Sequence, residues 1–139
     1  MTNTQNSKTV KQVKGMMGEL WAQEWMIQHG FTILAKNWRS GRYEIDLVCT
    51  NGKLIVFVEV RSQFSATKSF PESSILLLKQ TSVQKATRKY IAENRIQLPV
   101  RQDVVGVRFS SWGKQLLHIP DAFNSRTSTS LTHSSKLYH

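Results

Sequence analysis

The dipeptide Asn51-Gly52 lies between two runs rich in β-branched and apolar residues, Glu44–Cys49 and Leu54–Val60. Asn-Gly tolerates positive φ at both central positions of a tight turn and is the strongest short-range signal for a β-hairpin. It commits the middle of the chain to an antiparallel pair around which every other element must pack. A two-residue loop predicts that Thr50 faces Lys53, Asp46 faces Phe57 and Glu44 faces Glu59. Side chains alternate along a strand, and opposed residues share a face. One face then carries Glu44, Asp46, Val48, Ile55, Phe57, Glu59 and Arg61. The other carries Ile45, Leu47, Cys49, Leu54, Val56, Val58 and Val60, which reads as core.

The first face turns acidic at its open end, where like charges in direct opposition destabilise a sheet. A carboxylate removed from water normally neutralises, pairs with a cation or binds a metal. Two readings follow for Glu44, Asp46 and Glu59. They are hard oxygen ligands for Mg²⁺ or Mn²⁺, or they form ordinary ion pairs with Arg39, Arg42 or Arg61.

The flanking sequence completes an α/β pattern. Residues 1–13 are polar and read as a flexible leader, and a helix is expected from Lys14. Its apolar stripe is Met16, Met17, Leu20, Trp21 and Ile27, with His29-Gly30 as the C-cap. Phe31–Leu34 reads as a short strand, followed by the basic turn AKNWRSGR. After the hairpin, Ser62–Glu72 is loop-like. Ser73–Asn94 reads as a second helix with Leu76, Val83, Ala86 and Tyr90 on its apolar side. VRQDVVGVRF and QLLHI form a last strand pair around the turn SSWGK. The Ser- and Thr-rich residues 124–139 are expected to be a disordered polar tail. The expected architecture is one α/β domain over 14–123, with a mixed central sheet flanked by helices.

Charge narrows the partner. Nineteen Lys and Arg against nine Asp and Glu give a net charge of +10, an excess that suits a polyanion such as nucleic acid. No apolar run approaches the roughly 20 residues that span a bilayer, so no membrane partner is expected. The lone Cys49 excludes an intramolecular disulfide and fits the cytoplasm. The histidines show no metal-ligand spacing, and Walker, dinucleotide-binding and nucleophile-elbow motifs are absent. Trp38 in the basic turn is a candidate stacking surface for bases, and Arg39, Arg42, Lys79 and Lys85 are candidate phosphate contacts.

Asp46 followed by Glu59-Val60-Arg61 resembles the Asp … Glu-x-Lys signature of PD-(D/E)XK nucleases, which share the restriction-endonuclease-like fold. A longer frame is similar to the YraN family of bacterial proteins. It comprises GELWAQEWMIQHGFTILAKNWR, EIDLV, LIVFVEV, Lys79-Gln80, DVVGV and HIPDAF, in that order, over residues 15–123. The resemblance implies that Asp46 and Glu59 are metal-binding carboxylates, with the Val60 carbonyl as a further ligand to one or two Mg²⁺ or Mn²⁺ ions. It implies that Glu19 holds metal-bound water and that Arg61 positions the scissile phosphate of nucleic acid, with DNA the expected substrate. A homodimer is compatible with cutting both strands. The chain departs from the family pattern at Tyr43, usually Gly, at Arg61, usually Lys, and at Gln63, usually Arg. A guanidinium stays protonated and cannot serve as a base. Two functions therefore stand side by side: a metal-dependent phosphodiester hydrolase, and a catalytically silent nucleic-acid-binding or DNA-repair accessory module.

Overall fold

A computed structural model describes residues 9–64, 80–111, 113–123 and 136–138. The elements in chain order are α1 (Val10–Gln28), β1 (Thr32–Ser40), β2 (Tyr43–Thr50), β3 (Ile55–Phe64), α2 (Gln80–Glu93), β4 (Val100–Ser110), β5 (Gly113–Ile119) and β6 (Lys136–Tyr138). The strands follow sequence order across the sheet. Pairing is antiparallel except between β3 and β4, whose register runs from Ile55↔Val100 to Phe64↔Phe109. The sheet is therefore mixed, as the sequence predicts, with its parallel pair at the centre.

Both faces of the sheet are covered. On one, Ala22, Trp25 and Met26 of α1 pack on Leu47, Cys49, Val56, Val58, Val105, Val107 and Leu116. On the other, Ala86 and Tyr90 of α2 pack on Ile45, Val48, Ile55 and Phe57. Tyr90 meets Trp38 and Phe57 edge-on, at ring centroid separations of 5.2 and 5.4 Å, the arrangement that ring quadrupoles favour.

Several elements depart from the sequence expectation. Helix α1 starts at Val10, inside the expected leader, because Thr9 and Gln12 form a capping box that satisfies its first amides. Its expected stripe faces outward instead. Met16, Met17, Leu20 and Ile27 are exposed, and of that set Trp21 packs against the core. The helix buries a face that also contains Gly18 and Ala22, small residues that permit close approach. An added Cβ at Gly18 would collide with the Ser62 hydroxyl of β3.

Strand β1 absorbs most of the expected basic turn, leaving Gly41 and Arg42 between it and β2. The hairpin register is Thr50↔Ile55, so the loop has four residues rather than two. The Asn51 side chain closes it by accepting from the amides of Lys53 and Leu54. A shift of two preserves which residues share a face, so the core assignments hold from Leu47 to Val58. Ile45 departs from them: it joins Val48 and Phe57 on the α2 side. Strand β3 runs on through Ser62, Gln63 and Phe64, the start of the expected loop. Helix α2 is described from Gln80, and Leu76 lies outside the described residues. Near the end of the expected disordered tail, Lys136–Tyr138 pairs with β5.

Asp103, fully buried, ties β4 to its surroundings. Arg101 donates to it through two nitrogens at 2.8 Å, and the Asp121 amide donates at 3.0 Å. Trp25 donates its indole N–H to His118 Nδ1 at 3.2 Å, so that nitrogen is the acceptor and His118 Nε2 donates to Asp103 at 2.8 Å. Burial works to raise the Asp103 pKa, but the hydrogen bonds from His118 and Arg101 outweigh it and hold the carboxyl below the usual range. A depressed folded-state value stabilises the fold at neutral pH, and that contribution is lost as pH falls through it.

Removing the carboxylate leaves the half-buried Arg101, His118 and the Asp121 amide without their acceptor, so Asp103→Ala is expected to lower stability in urea by about 3 kcal/mol and to flatten the acid limb of the stability profile. A second expectation concerns the helix contact. Gly18→Ala must displace the Ser62 hydroxyl, costing about 0.5–1.5 kcal/mol, which cancels the roughly 1 kcal/mol gained in helix propensity. In a Ser62→Ala background the nearest atom lies 3.6 Å away, and the same substitution should stabilise. A double-mutant cycle with no coupling would refute the contact.

Candidate active site

The ladder between β2 and β3 ends at Leu47↔Val58. Beyond it, the Val60 amide donates to Asp46 Oδ2 at 2.8 Å. The side chain of one strand thus replaces a backbone acceptor where the two strands separate. Glu44 lies opposite Arg39 of β1 rather than opposite Glu59, and its carboxylate is 3.4 Å from the Arg39 guanidinium at the surface.

The opening is a cleft of about 630 Å³ lined by Arg42, Tyr43, Glu44, Asp46, Glu59, Val60, Arg61, Ser82, Val83 and Lys85. The last three come from α2, so three elements converge there. The Arg61 guanidinium forms an ion pair with Glu59, 3.1 Å from its carboxylate. Burial pushes the Asp46 pKa up to about 6; the Val60 amide opposes that rise, and the Glu19 and Glu44 charges add to it. Burial also pushes Glu59 up to about 7, with the Asp46 charge adding to it and Arg61 opposing it. Two adjacent half-buried carboxyls with raised pKa values, one of them beside a cation, form an environment tuned for chemistry more often than for scaffolding.

The sequence-derived candidates divide cleanly. Asp46, Glu59, Val60, Arg61, Arg42 and Lys85 meet in the cleft. Glu19 is half-buried on α1, close enough for its charge to raise the Asp46 pKa, and the Gly18–Ser62 approach sets it there. Trp38 is packed against Tyr90 in the core cluster. Arg39 is exposed outside the cleft, and Lys79 lies outside the described residues. Ser82 and Val83 were not anticipated as cleft residues, because only tertiary packing brings α2 to the open end of the hairpin. Cys49 is buried and its thiol is pushed up to about 12, chiefly by burial, so it offers no thiolate.

Among the described residues no group of three or more His, Cys, Asp or Glu is gathered to hold a metal ion. The Asp46–Glu59 pair fits a Mg²⁺-like cation nonetheless. Such ions commonly take one or two carboxylates and fill the remaining positions with water and substrate phosphate.

A family model described as an uncharacterised protein family, UPF0102, matches residues 18–107. The chain belongs to the UPF0102 family. A UPF0102 protein of Anaeromyxobacter dehalogenans is 38% identical over 115 residues, covering 82% of this chain and 86% of that one. One of Geobacter metallireducens is 36% identical over 110 residues, covering 78% and 90%. This is the YraN-like family that the GELWAQEW … EIDLV … FVEV frame resembles. Among solved structures, Pyrococcus furiosus SfsA in complex with Ca²⁺ aligns at a TM-score of 0.31 and 12% identity, over 79% of this UPF0102 chain and 62% of that one. A likeness of that size assigns neither fold nor function.

The raised pKa values carry a sign. Asp46 and Glu59 titrate above their unfolded values, so stability is fully present below about pH 4 and declines as pH rises through about 6 to 7. Asp46→Asn removes one of the two charges. It is expected to raise the thermal midpoint at pH 8 by on the order of 5 °C and to leave it unchanged at pH 4. Equal shifts at both pH values would show that the acids do not repel one another.

Proposed function

We propose that this protein is a metal-dependent hydrolase of nucleic-acid phosphodiesters, of the PD-(D/E)XK type, with DNA as its substrate. The observation that carries the reading is the pairing of Asp46 and Glu59 as half-buried acids in one cleft, with Arg61 beside Glu59. Asp46 and Glu59 would hold Mg²⁺ or Mn²⁺, which lowers the pKa of a coordinated water and offsets phosphate charge. Arg61 keeps a positive charge beside the acids, and its forked donors suit a phosphate oxygen. It cannot remove a proton from water. Glu19, on α1 and near enough for its charge to raise the Asp46 pKa, would orient water. Lys85 and Arg42 extend positive charge along the rim, in keeping with the net charge of +10.

The Arg61–Glu59 ion pair also favours a second reading, a nuclease scaffold kept for binding nucleic acid without cleavage. A cleavage assay on linear, flapped and four-way DNA with Mg²⁺ or Mn²⁺ separates the two. Under the leading reading, Asp46→Ala and Glu59→Ala each lose at least on the order of 100-fold in rate, while Arg61→Lys gains. Wild-type binding without cleavage, with cleavage appearing only in Arg61→Lys, would select the binding module. Absence of both binding and cleavage in every variant would remove both.

A further inference from the structure

Among the described residues that line the cleft, one is aromatic: Tyr43, at the start of β2. Its side chain is half-buried. It packs against the cluster of Ile45, Phe57 and Tyr90 beneath α2, and it also borders the cleft. The Arg42 guanidinium and the Lys89 ammonium each stand 5.6 Å from its ring centroid, within the range at which a ring attracts a cation. Both residues are exposed, as is Lys85, which lines the same opening. The tryptophans are engaged elsewhere. Trp38 meets Tyr90, Trp25 donates to His118, and Trp21 lies beside Phe109 with Lys114 over its ring.

A ring steadied by core packing and flanked by solvated cations suits a flat partner that carries an anion. A nucleotide is such a partner: its base offers a π-face to the ring and its phosphate an oxyanion to the cations. Every base has that face, so the contact selects no sequence. It does select a state of the strand. Inside a duplex each base is stacked between its neighbours, and taking it out costs unpairing and unstacking energy, least where the base is already single-stranded. Tyr43 precedes Asp46 by three residues of β2, roughly 10 Å at ~3.3 Å of rise per residue. That is a span of at most about three nucleotides at the ~3.4 Å advance of a stacked strand. A base on Tyr43 therefore lies close along the strand to a phosphate held at the acids.

We infer that Tyr43 is a stacking platform for an unpaired base, so that the cleft takes DNA with a single-stranded segment, such as a flap or a frayed end, in preference to an intact duplex. This rests on the proposed nucleic-acid function, whose substrate class it names, but not on catalysis. Arg42 and Lys89 would hold the phosphates beside the stacked base. Binding energy from that base would fix which phosphate reaches Asp46 and Glu59.

The test is binding, in EDTA, of two labelled DNA probes with the same number of phosphates, a blunt duplex and a duplex with a single-stranded flap. Wild type is compared with Tyr43→Phe, which keeps the ring, and Tyr43→Leu, which keeps apolar packing and removes it. Wild type and Tyr43→Phe are expected to bind the flapped probe about tenfold more tightly than the blunt one, and Tyr43→Leu to lose most of that preference. Equal affinity of wild type for the two probes, or a preference that survives in Tyr43→Leu, would overturn the inference while leaving the proposed function standing. Failure of wild type to bind either probe would overturn both. Should Tyr43→Leu fail to fold, a wild-type photocrosslink from 5-iodouracil at the first unpaired position decides the matter, its site located by mass spectrometry. A crosslink at Tyr43 supports the inference, and crosslinks only at other residues, or none, overturn it.

Discussion

The hydrogen bond from the Val60 amide to Asp46 Oδ2 lets two strands part inside a packed sheet. A backbone N–H left without an acceptor there would cost about 1–3 kcal/mol. With the carboxylate as acceptor, β2 leaves β3 after Leu47↔Val58 and Ile45 turns to the α2 side. The same bond fixes Asp46 beside Glu59. Cleft, acid pair and the change of face at Ile45 follow from one carboxylate taking a role that the ladder would otherwise fill.

Around that point the fold supplies rigidity from both sides. Helix α1 rests on β3 through the glycine at position 18, and α2 locks the other face through Tyr90 between Trp38 and Phe57. The Asp103 network clamps β4 to β5 and α1 with charge-assisted bonds. It lies on the α1 side of β4, while Arg108 lies on the other. A single strand thus carries one buried ionic group with its partners in place and one whose Nε and Nη1 have none among the described residues. Asp46 and Glu59 are half-buried acids with raised pKa values, and Arg108 carries buried donors without acceptors.

Much of this could be read before any coordinates. Asn51-Gly52 and the alternation around it placed Asp46, Glu59 and Arg61 on one face, even though the loop is two residues longer than expected. A shift of two leaves side-chain parity intact, whereas a shift of one would have separated the acids. The α1 stripe misled because periodicity ranks residues by apolarity, and here the buried face contains Gly18 and Ala22, chosen for closeness. Trp38 carried a nucleic-acid expectation from its basic neighbours, but Tyr90, distant in sequence, takes its ring. Arg108 gave only a weak signal, a charge inside a strand pattern with no visible partner.

By itself the sequence determined the local terms: a hairpin at Asn51-Gly52, an α/β order of elements, a strongly basic surface and a set of acids at one end of one strand pair. Those follow from turn chemistry, side-chain period and composition, which act over a few residues. Only the tertiary structure decided where β2 and β3 part, which face of α1 is buried, and that Ser82 and Lys85 join the cleft. It also decided that Arg108 shares a face with Arg61. These depend on the parallel pairing of β3 with β4, a contact between segments some 45 residues apart, and no local pattern encodes a register of that range.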